Sequence, residues 1–283
     1  MSVPIEVLCP AKINLSLRVL EKRADGYHDI ETVLQRITLF DKIRLARTNR
    51  EDIHLTCNES DLPEGEENIV WRAASVFREY VALSGGFSIR LWKGIPVAAG
   101  LGGGSSDAAG TLLGLNVLFG RLFTREKLAE MGGVLGADVP FFILEASSAL
   151  GEDRGDRLTE IHIPWFWFVL VNPGFEVSTA WAYRNLNSLL TRPENKPIKA
   201  TLGQAPFKLE ELLYNDLEQV SSDAYPEIGK AKQTLISLGA MAALMSGSGP
   251  TVFGIFHNRE TANRAHDALS SHDVWKSFLV RSF

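Results

Sequence analysis

The stretch "PVAAGLGGGSSDAAG", Pro96 to Gly110, packs Gly100, Gly102, Gly103 and Gly104 into five positions and follows them with Ser105 and Ser106. Glycine loses more backbone freedom on folding than any other residue, so this density needs a cause. A tight turn needs one or two glycines. Four, with paired hydroxyls, fit a backbone that something else must approach closely. The flanking pattern reads strand, glycine loop, helix. It aims unsatisfied backbone N–H groups and the positive end of a helix at one place. That is an anion site, and phosphate is the ligand it fits. Ser105 and Ser106 stand where helix N-caps belong. The stretch is not a Walker A loop, because GxxxxGK[ST] occurs nowhere. Nor is it a strict GxGxxG, because Ser105 stands three after Gly102.

Phosphoryl transfer asks for positioning, charge neutralisation and a base for the acceptor. Asp138 in "GADVPFF" is a candidate base. Two residues before Pro140 it is equally well placed as a helix cap, and spacing alone leaves both open. Lys12 in "PAKIN" supplies a cation, although a lysine at a strand end is ordinarily a surface residue. The six histidines form no HxxxH or HExxH, and no Cys/His spacing resembles a zinc site. A Rossmann dehydrogenase is disfavoured: the glycines follow several strands, and no ribose-binding acid stands about 20 residues on.

The elements that must carry these residues are legible in part. "INLSLRVL" alternates Ile13, Leu15, Leu17 and Val19 against polar partners, as a half-buried strand does. Asp25-Gly26 is a hairpin turn signal, and "ETVLQRITLFDKIRLAR" continues as extended chain. Asn68 caps a predicted helix with apolar residues at 69/70, 73/74, 77 and 80/81. Phe87–Trp92 alternates as a strand, with Lys93 at its end. The glycine loop, a helix over "SDAAGTLLGLNVLFG" and a helix capped by Thr124 follow. The composition turns polar over Gly151–Pro164, where a domain junction is expected, dividing the chain into 1–160 and 161–283. "WFWFVLVNPG" restarts as a buried strand. "NSLLTRPENKPIKATLGQAP" reads as the longest loop, and "AALMSGSGPTVFGIF" as strand, loop, strand. Irregularly mixed elements of this kind point to α+β, in two domains.

The totals bound the function. A chain of 283 residues with 45% apolar and 22% charged residues has ordinary globular composition. A net charge of -5 argues against sequence-independent nucleic-acid binding. Cys9 and Cys57, isolated thiols, fit a reducing compartment. "MSVPIEVLCP" lacks a signal-peptide pattern, and "WFWFVLV" is too short to span a bilayer. A soluble cytoplasmic protein is expected, with a small-molecule substrate.

Three stretches together resemble the GHMP kinases: "PAKINLSL" the first motif, "PVAAGLGGGSSDAA" the second, "SGSGPTVFGIF" the third, in the family's order across almost the whole chain. The resemblance implies two domains, an N-terminal ATP-binding domain like the second domain of ribosomal protein S5 and a C-terminal, ferredoxin-like α/β sandwich for substrate. It implies ATP with Mg²⁺ as cofactors, and a monomer or weak homodimer. Pro96, Val97, Ala98, Ala99, Gly100, Leu101, Gly102, Gly103, Gly104, Ser105 and Ser106 would hold the nucleotide phosphates, with Asn68 and Lys93 near the nucleotide. Asp138 matches the catalytic aspartate, and Lys12 would sit close to it and to the acceptor oxygen. The motifs identify no protein ligand of Mg²⁺; Ser106 stands near the phosphates by its place in the second motif. "PAKINL", "RADGYHDIETV" and "GADVPFF" together are similar to one branch of the family, which phosphorylates the tertiary 2-hydroxyl of a methylerythritol carried on cytidine diphosphate. On that likeness Asn14, Tyr27, His28, Thr179 and Tyr183 would contact the substrate, with Tyr27 and Tyr183 sandwiching the base and His28 reading its edge. One departure is local: Ala98-Ala99 stands where relatives often carry glycine.

Overall fold

The computed structural model describes residues 3–59, 61–81, 85–186, 198, 202 and 209–283. They form two compact units, each drawn from separate parts of the sequence.

The first unit holds Met1–Ala11, Leu39–Pro96 and Gly102–Ala146. Its sheet takes the start of β1 (Ile5–Lys22), the end of β2 (His28–Thr48), β3 (Ile53–Cys57) and β4 (Gly86–Trp92). β4 pairs antiparallel with β2 and parallel with β3, so that Leu45 and Leu55 both stand opposite Ile89. Ile43, Leu45, Leu55, Phe87, Ile89 and Leu91 alternate along these strands, and all are buried. Helices α1 (Ile69–Val81), α2 (Gly103–Leu118), α3 (Arg125–Gly133) and α4 (Val139–Leu144) complete the unit. α1 turns the stripe Val70, Ala73, Ala74 and Phe77 inward. Full burial of a side chain like Phe77 stabilises by roughly 1.5–3 kcal/mol. α2 lies directly on the sheet because Gly114 leaves room: a Cβ there would stand 2.3 Å from Leu45 Cδ1. Thr124 caps α3 as expected, its hydroxyl accepting from Lys127 N at 3.3 Å.

The second unit holds Lys12–Thr38, Val97–Leu101 and Ser147–Phe283. Here β1 and β2 form a hairpin about Asp25-Gly26, with Arg23 N donating to Tyr27 O at 2.8 Å. β5 (Ser148–Glu152) pairs with β2 and with β6 (Arg157–Glu160), and the two-residue β8 (Tyr214–Asn215) runs parallel beside β1. The polar stretch from Gly151 is thus largely a hairpin whose β6 is mostly exposed, which accounts for its composition. A four-stranded antiparallel sheet, in the order β11 (Lys276–Arg281), β7 (Trp167–Asn172), β10 (Val252–Phe256), β9 (Ala242–Met245), follows. Helices α5 (Thr179–Asn185), α6 (Leu209–Leu212), α7 (Asp216–Ala224), α8 (Pro226–Ser237) and α9 (Arg259–Leu269) also belong to this unit. α8 and α9 pack on that sheet, closing a core that includes Val169, Ile228, Leu235, Met245, Phe256 and Leu269.

One strand departs from its sequence pattern. "INLSLRVL" is not half-buried over its first half: Asn14 and Ser16, on the polar side of the alternation, are buried like Ile13 and Leu15, and so is Lys12 just before them. Side-chain hydrogen bonds offset the burial of Lys12 and Asn14. "NSLLTRPENKPIKATLGQAP", read as a long loop, lies almost wholly outside the described residues. Among those described, no helix is long and apolar enough to cross a membrane.

Candidate functional site

In the first unit the glycine loop joins β4 to α2, and α2 begins at Gly103. Gly102 is the N-cap, in a left-handed conformation at φ 68°. Ser105 and Ser106 are therefore not caps, as their type suggests, but lie within the first turn. Ser106 N makes the first i→i−4 bond, to Gly102 O at 2.9 Å. The N–H groups of Gly103, Gly104 and Ser105 have no acceptor four residues back in the helix, which leaves a donor cluster for an anion. Gly104 is exposed, and a Cβ there would meet only Ile69 Cγ2, at 3.6 Å. Gly103 differs: its Cβ would point inward, 3.1 Å from Ile95 Cγ2 and 3.3 Å from Asp41 Oδ2. Ser106 Oγ is buried and has no hydrogen-bond partner among the described residues.

Asp138 occupies the N-cap position of α4, but its side chain makes no capping hydrogen bond. Of the two roles its spacing left open, the capping hydrogen bond is not made. Its segment runs beside the glycine loop's helix: a Cβ at Gly136 would lie 3.8 Å from Ser105 Oγ. Asn68 does act as a cap. Its Oδ1 accepts from Val70 N at 2.9 Å and its Nδ2 donates to Pro63 O at 2.8 Å. Lys93 is not a solvated strand-end charge. Its ammonium sits between Asp41 Oδ2 and Asp107 Oδ2, the latter at 2.7 Å, with 6% of the side chain exposed. Burial works against that charge, but the two carboxylates outweigh it and raise the Lys93 pKa. Burial drives the Asp107 carboxyl well above its ordinary range, with Asp41 adding to the effect against Lys93. Burial, then Asp107 and Asp41, likewise push up the Cys9 thiol, which is inert packing.

In the second unit the three sequence motifs are fastened to one another. Lys12 Nζ donates to Asn14 Oδ1 at 2.6 Å, and Asn14 Nδ2 donates to Thr32 Oγ1 at 2.8 Å. Lys12 N donates to Leu101 O at 2.9 Å, tying β1 to the early glycine loop. Ser246 Oγ donates to Gly100 O at 2.8 Å and accepts from Asn14 N at 3.2 Å. A Cβ on Gly100 would stand 2.1 Å from Ser246 O. Asn215 Nδ2 holds the carbonyls of Met245 and Gly247, each at 2.8 Å, and Thr179 Oγ1 lies 3.0 Å from Ser248 Oγ. Pro96 to Ala99 lead into this region, with Val97 and Ala98 exposed. Ala98 has φ 49°, so the departure from glycine falls where glycine would relieve strain.

His28, rather than Tyr27, stacks on Tyr183, with ring centroids 5.3 Å apart and planes at 24°. Tyr27 stays 60% exposed, and the Arg154 guanidinium lies 5.5 Å from its ring centre. Burial, then Lys22, lowers the His28 pKa, which favours a neutral imidazole with one donor and one acceptor nitrogen. Sequence reasoning missed Asp41, Asp107, Arg154 and Asn215. Only Asp41 carried a signal, as an acid two residues from both Leu39 and Ile43 in "TLFDKI", in phase with the apolar side of an extended stretch.

Residues 68–146 match the GHMP kinases N terminal domain and residues 200–274 the GHMP kinases C terminal family. The chain is 47% identical, over 96% of its length and 97% of the relative, to the 4-diphosphocytidyl-2-C-methyl-D-erythritol kinase of Syntrophotalea carbinolica. A crystal structure of 4-(cytidine 5'-diphospho)-2C-methyl-D-erythritol kinase superposes with a TM-score of 0.82 at 34% identity, over 99% of this chain and 100% of that one. A homoserine kinase from Cytophaga hutchinsonii, at 19% identity and a TM-score of 0.73 over 100% of this chain and 95% of its own, shares the fold. With the glycine loop opening α2, the three motifs fastened in place, and this likeness over nearly its full length, the chain belongs to the GHMP kinase family.

Proposed function

We propose that the protein transfers the γ-phosphoryl group of ATP to the 2-hydroxyl of 4-diphosphocytidyl-2-C-methyl-D-erythritol, a step of the non-mevalonate (MEP) route to isoprenoid precursors. The observation that carries the choice of acceptor is the 47% identity to a kinase of that name across 96% of the chain. The backbone N–H groups of Gly103, Gly104 and Ser105 bind nucleotide phosphate, with Pro96 to Gly102 shaping the approach. Asp138 accepts the proton of the acceptor hydroxyl, and its lack of a capping role supports this assignment. Lys12 offsets charge on the transferred group. Asn14 orients Lys12, as its 2.6 Å hydrogen bond indicates. Asn68 and Lys93 support the nucleotide side through the chain rather than by free polar groups.

Mg²⁺ is expected with the nucleotide, where it would neutralise phosphate charge. Ser106 Oγ, buried and unpartnered, fits a role as an oxygen ligand. His28, Tyr183, Tyr27 and Thr179 take the cytidylyl end. The stacked rings of His28 and Tyr183 supply an aromatic surface for the base. A cytoplasmic monomer or weak homodimer fits a small-molecule kinase of this kind. The test is product formation. Purified protein with ATP, Mg²⁺ and the cytidylyl alcohol is expected to release ADP and yield an alcohol phosphorylated at its tertiary hydroxyl. ADP release with mevalonate or homoserine, and none with the cytidylyl alcohol, would overturn the proposal.

A further inference from the structure

Asp41 is wholly buried in β2 and stands under both ends of the glycine loop. At the entry, its Oδ1 accepts from Gly94 N at 2.7 Å and Ile95 N at 2.8 Å. Its Oδ2 takes the Lys93 ammonium. At the exit, the same ammonium reaches Asp107 Oδ2 in α2 at 2.7 Å. A Cβ on Gly103 would come within 3.3 Å of Asp41 Oδ2, so the first residue of α2 rests against this carboxylate. Buried charges persist where they are paired and hydrogen-bonded, and removing one partner costs far more than a surface pair is worth. The proposed mechanism uses none of the charge in this cluster.

We infer that Asp41 is a positioning residue for the nucleotide: through Lys93, Asp107 and the amides of Gly94 and Ile95 it fixes where the N-terminus of α2 presents its donors to phosphate. The inference rests on the reading of that N-terminus as the phosphate site. Two features of the carboxylate are needed at once. One oxygen serves two backbone donors and the other serves an ammonium. Asparagine has a single acceptor oxygen, so whichever way its amide turns, Asp41→Asn abandons either the loop entry or Lys93. Raised by the two carboxylates, the Lys93 pKa keeps the ammonium charged over the working range.

The experiment compares Asp41→Asn, Asp41→Ala and Gly104→Val with the unchanged protein. It reads KM for ATP, KM for the acceptor alcohol, and affinity for a non-hydrolysable ATP analogue, with thermal unfolding to confirm folding. Asp41→Asn is expected to raise KM for ATP and the analogue Kd together, by roughly tenfold, while KM for the acceptor stays within about twofold. Asp41→Ala should go further. If it does not fold, Asp41→Asn alone decides. Gly104→Val adds bulk on the exposed side of the helix start and should lose the analogue outright. Unchanged ATP affinity in folded Asp41→Asn, with affinity lost in Gly104→Val, would overturn the positioning role and leave the phosphate site standing. Unchanged affinity in Gly104→Val would overturn the phosphate site, and the inference with it. Equal rises in both KM values would mark Asp41 as a general stabiliser and also overturn the inference.

Discussion

At the residue scale the proposed chemistry turns on Asp138. It holds an N-cap position without a capping hydrogen bond. Capping therefore does not account for this carboxylate, and the proposed reading gives it proton transfer. Asp138→Asn is therefore expected to leave ATP-analogue affinity nearly unchanged and to cut kcat by roughly 10²–10⁴. Steady-state rates and a nucleotide titration check this. A variant with unimpaired turnover would remove Asp138 from the mechanism. His28 gives a pH-dependent expectation. Its folded pKa lies below the ordinary 6.5, chiefly through burial. The unfolded chain then binds more protons between the folded and unfolded pKa values, so stability rises with pH across that window. His28 accordingly costs the protein stability as pH falls from about 6.5 through the folded pKa. Denaturant unfolding of His28→Gln should show a shallower loss on acidification than the unchanged protein. Parallel profiles would deny His28 a perturbed environment.

At the scale of elements, the glycine loop contains two positions of opposite character two residues apart. Ala98 is held at φ 49°, where an L side chain is strained by about 1–2 kcal/mol. Part of any gain from glycine returns as unfolded-state entropy. Ala98→Gly is expected to stabilise by about 1 kcal/mol, raising Tm by roughly 2 °C. Gly100 cannot change at all cheaply. It has φ 76°, and a Cβ would meet the backbone of Ser246. Gly100→Ala should destabilise by at least about 2 kcal/mol. Differential scanning calorimetry of the two variants reads both signs. A drop for Ala98→Gly, or no change for Gly100→Ala, would contradict the loop geometry.

The elements themselves were largely legible in the sequence. The α1 stripe, the Thr124 cap, the Asp25-Gly26 turn and the strand–loop–helix setting of the glycines all follow from local periodicity and capping chemistry. What local pattern cannot reveal is partnership across distance. Asp107 reads as an ordinary acid, and Asp41 as an acid out of place on an apolar strand face, until the fold brings Lys93 between them. The polar face of β1 reads as solvated until Thr32 and Asn14 are seen to satisfy each other. Ser105 and Ser106 suggest caps by type, yet the left-handed Gly102 starts the helix earlier.

On the scale of the whole molecule, each unit is assembled from segments far apart in the chain. Composition shifts report where surface becomes polar, not where the chain passes from one unit to the other, so a single boundary is hard to read from them. The motifs survive this discontinuity because each carries its own chemistry. Their order made the kinase family visible in the sequence alone, and likeness over 96% of the chain establishes it. The choice of acceptor is the central claim. Its most direct test is the ratio of kcat/KM for the cytidylyl alcohol to that for its uridylyl analogue, from ADP release at saturating ATP. In the proposed reading the base stacks on the His28–Tyr183 pair, which would accept either ring, so discrimination would come from hydrogen bonds to the base edge that the wrong base leaves unpaired. The expected ratio favours the cytidylyl substrate by roughly 10²-fold or more; equal values for the two analogues would contradict base recognition and with it the assignment of the acceptor.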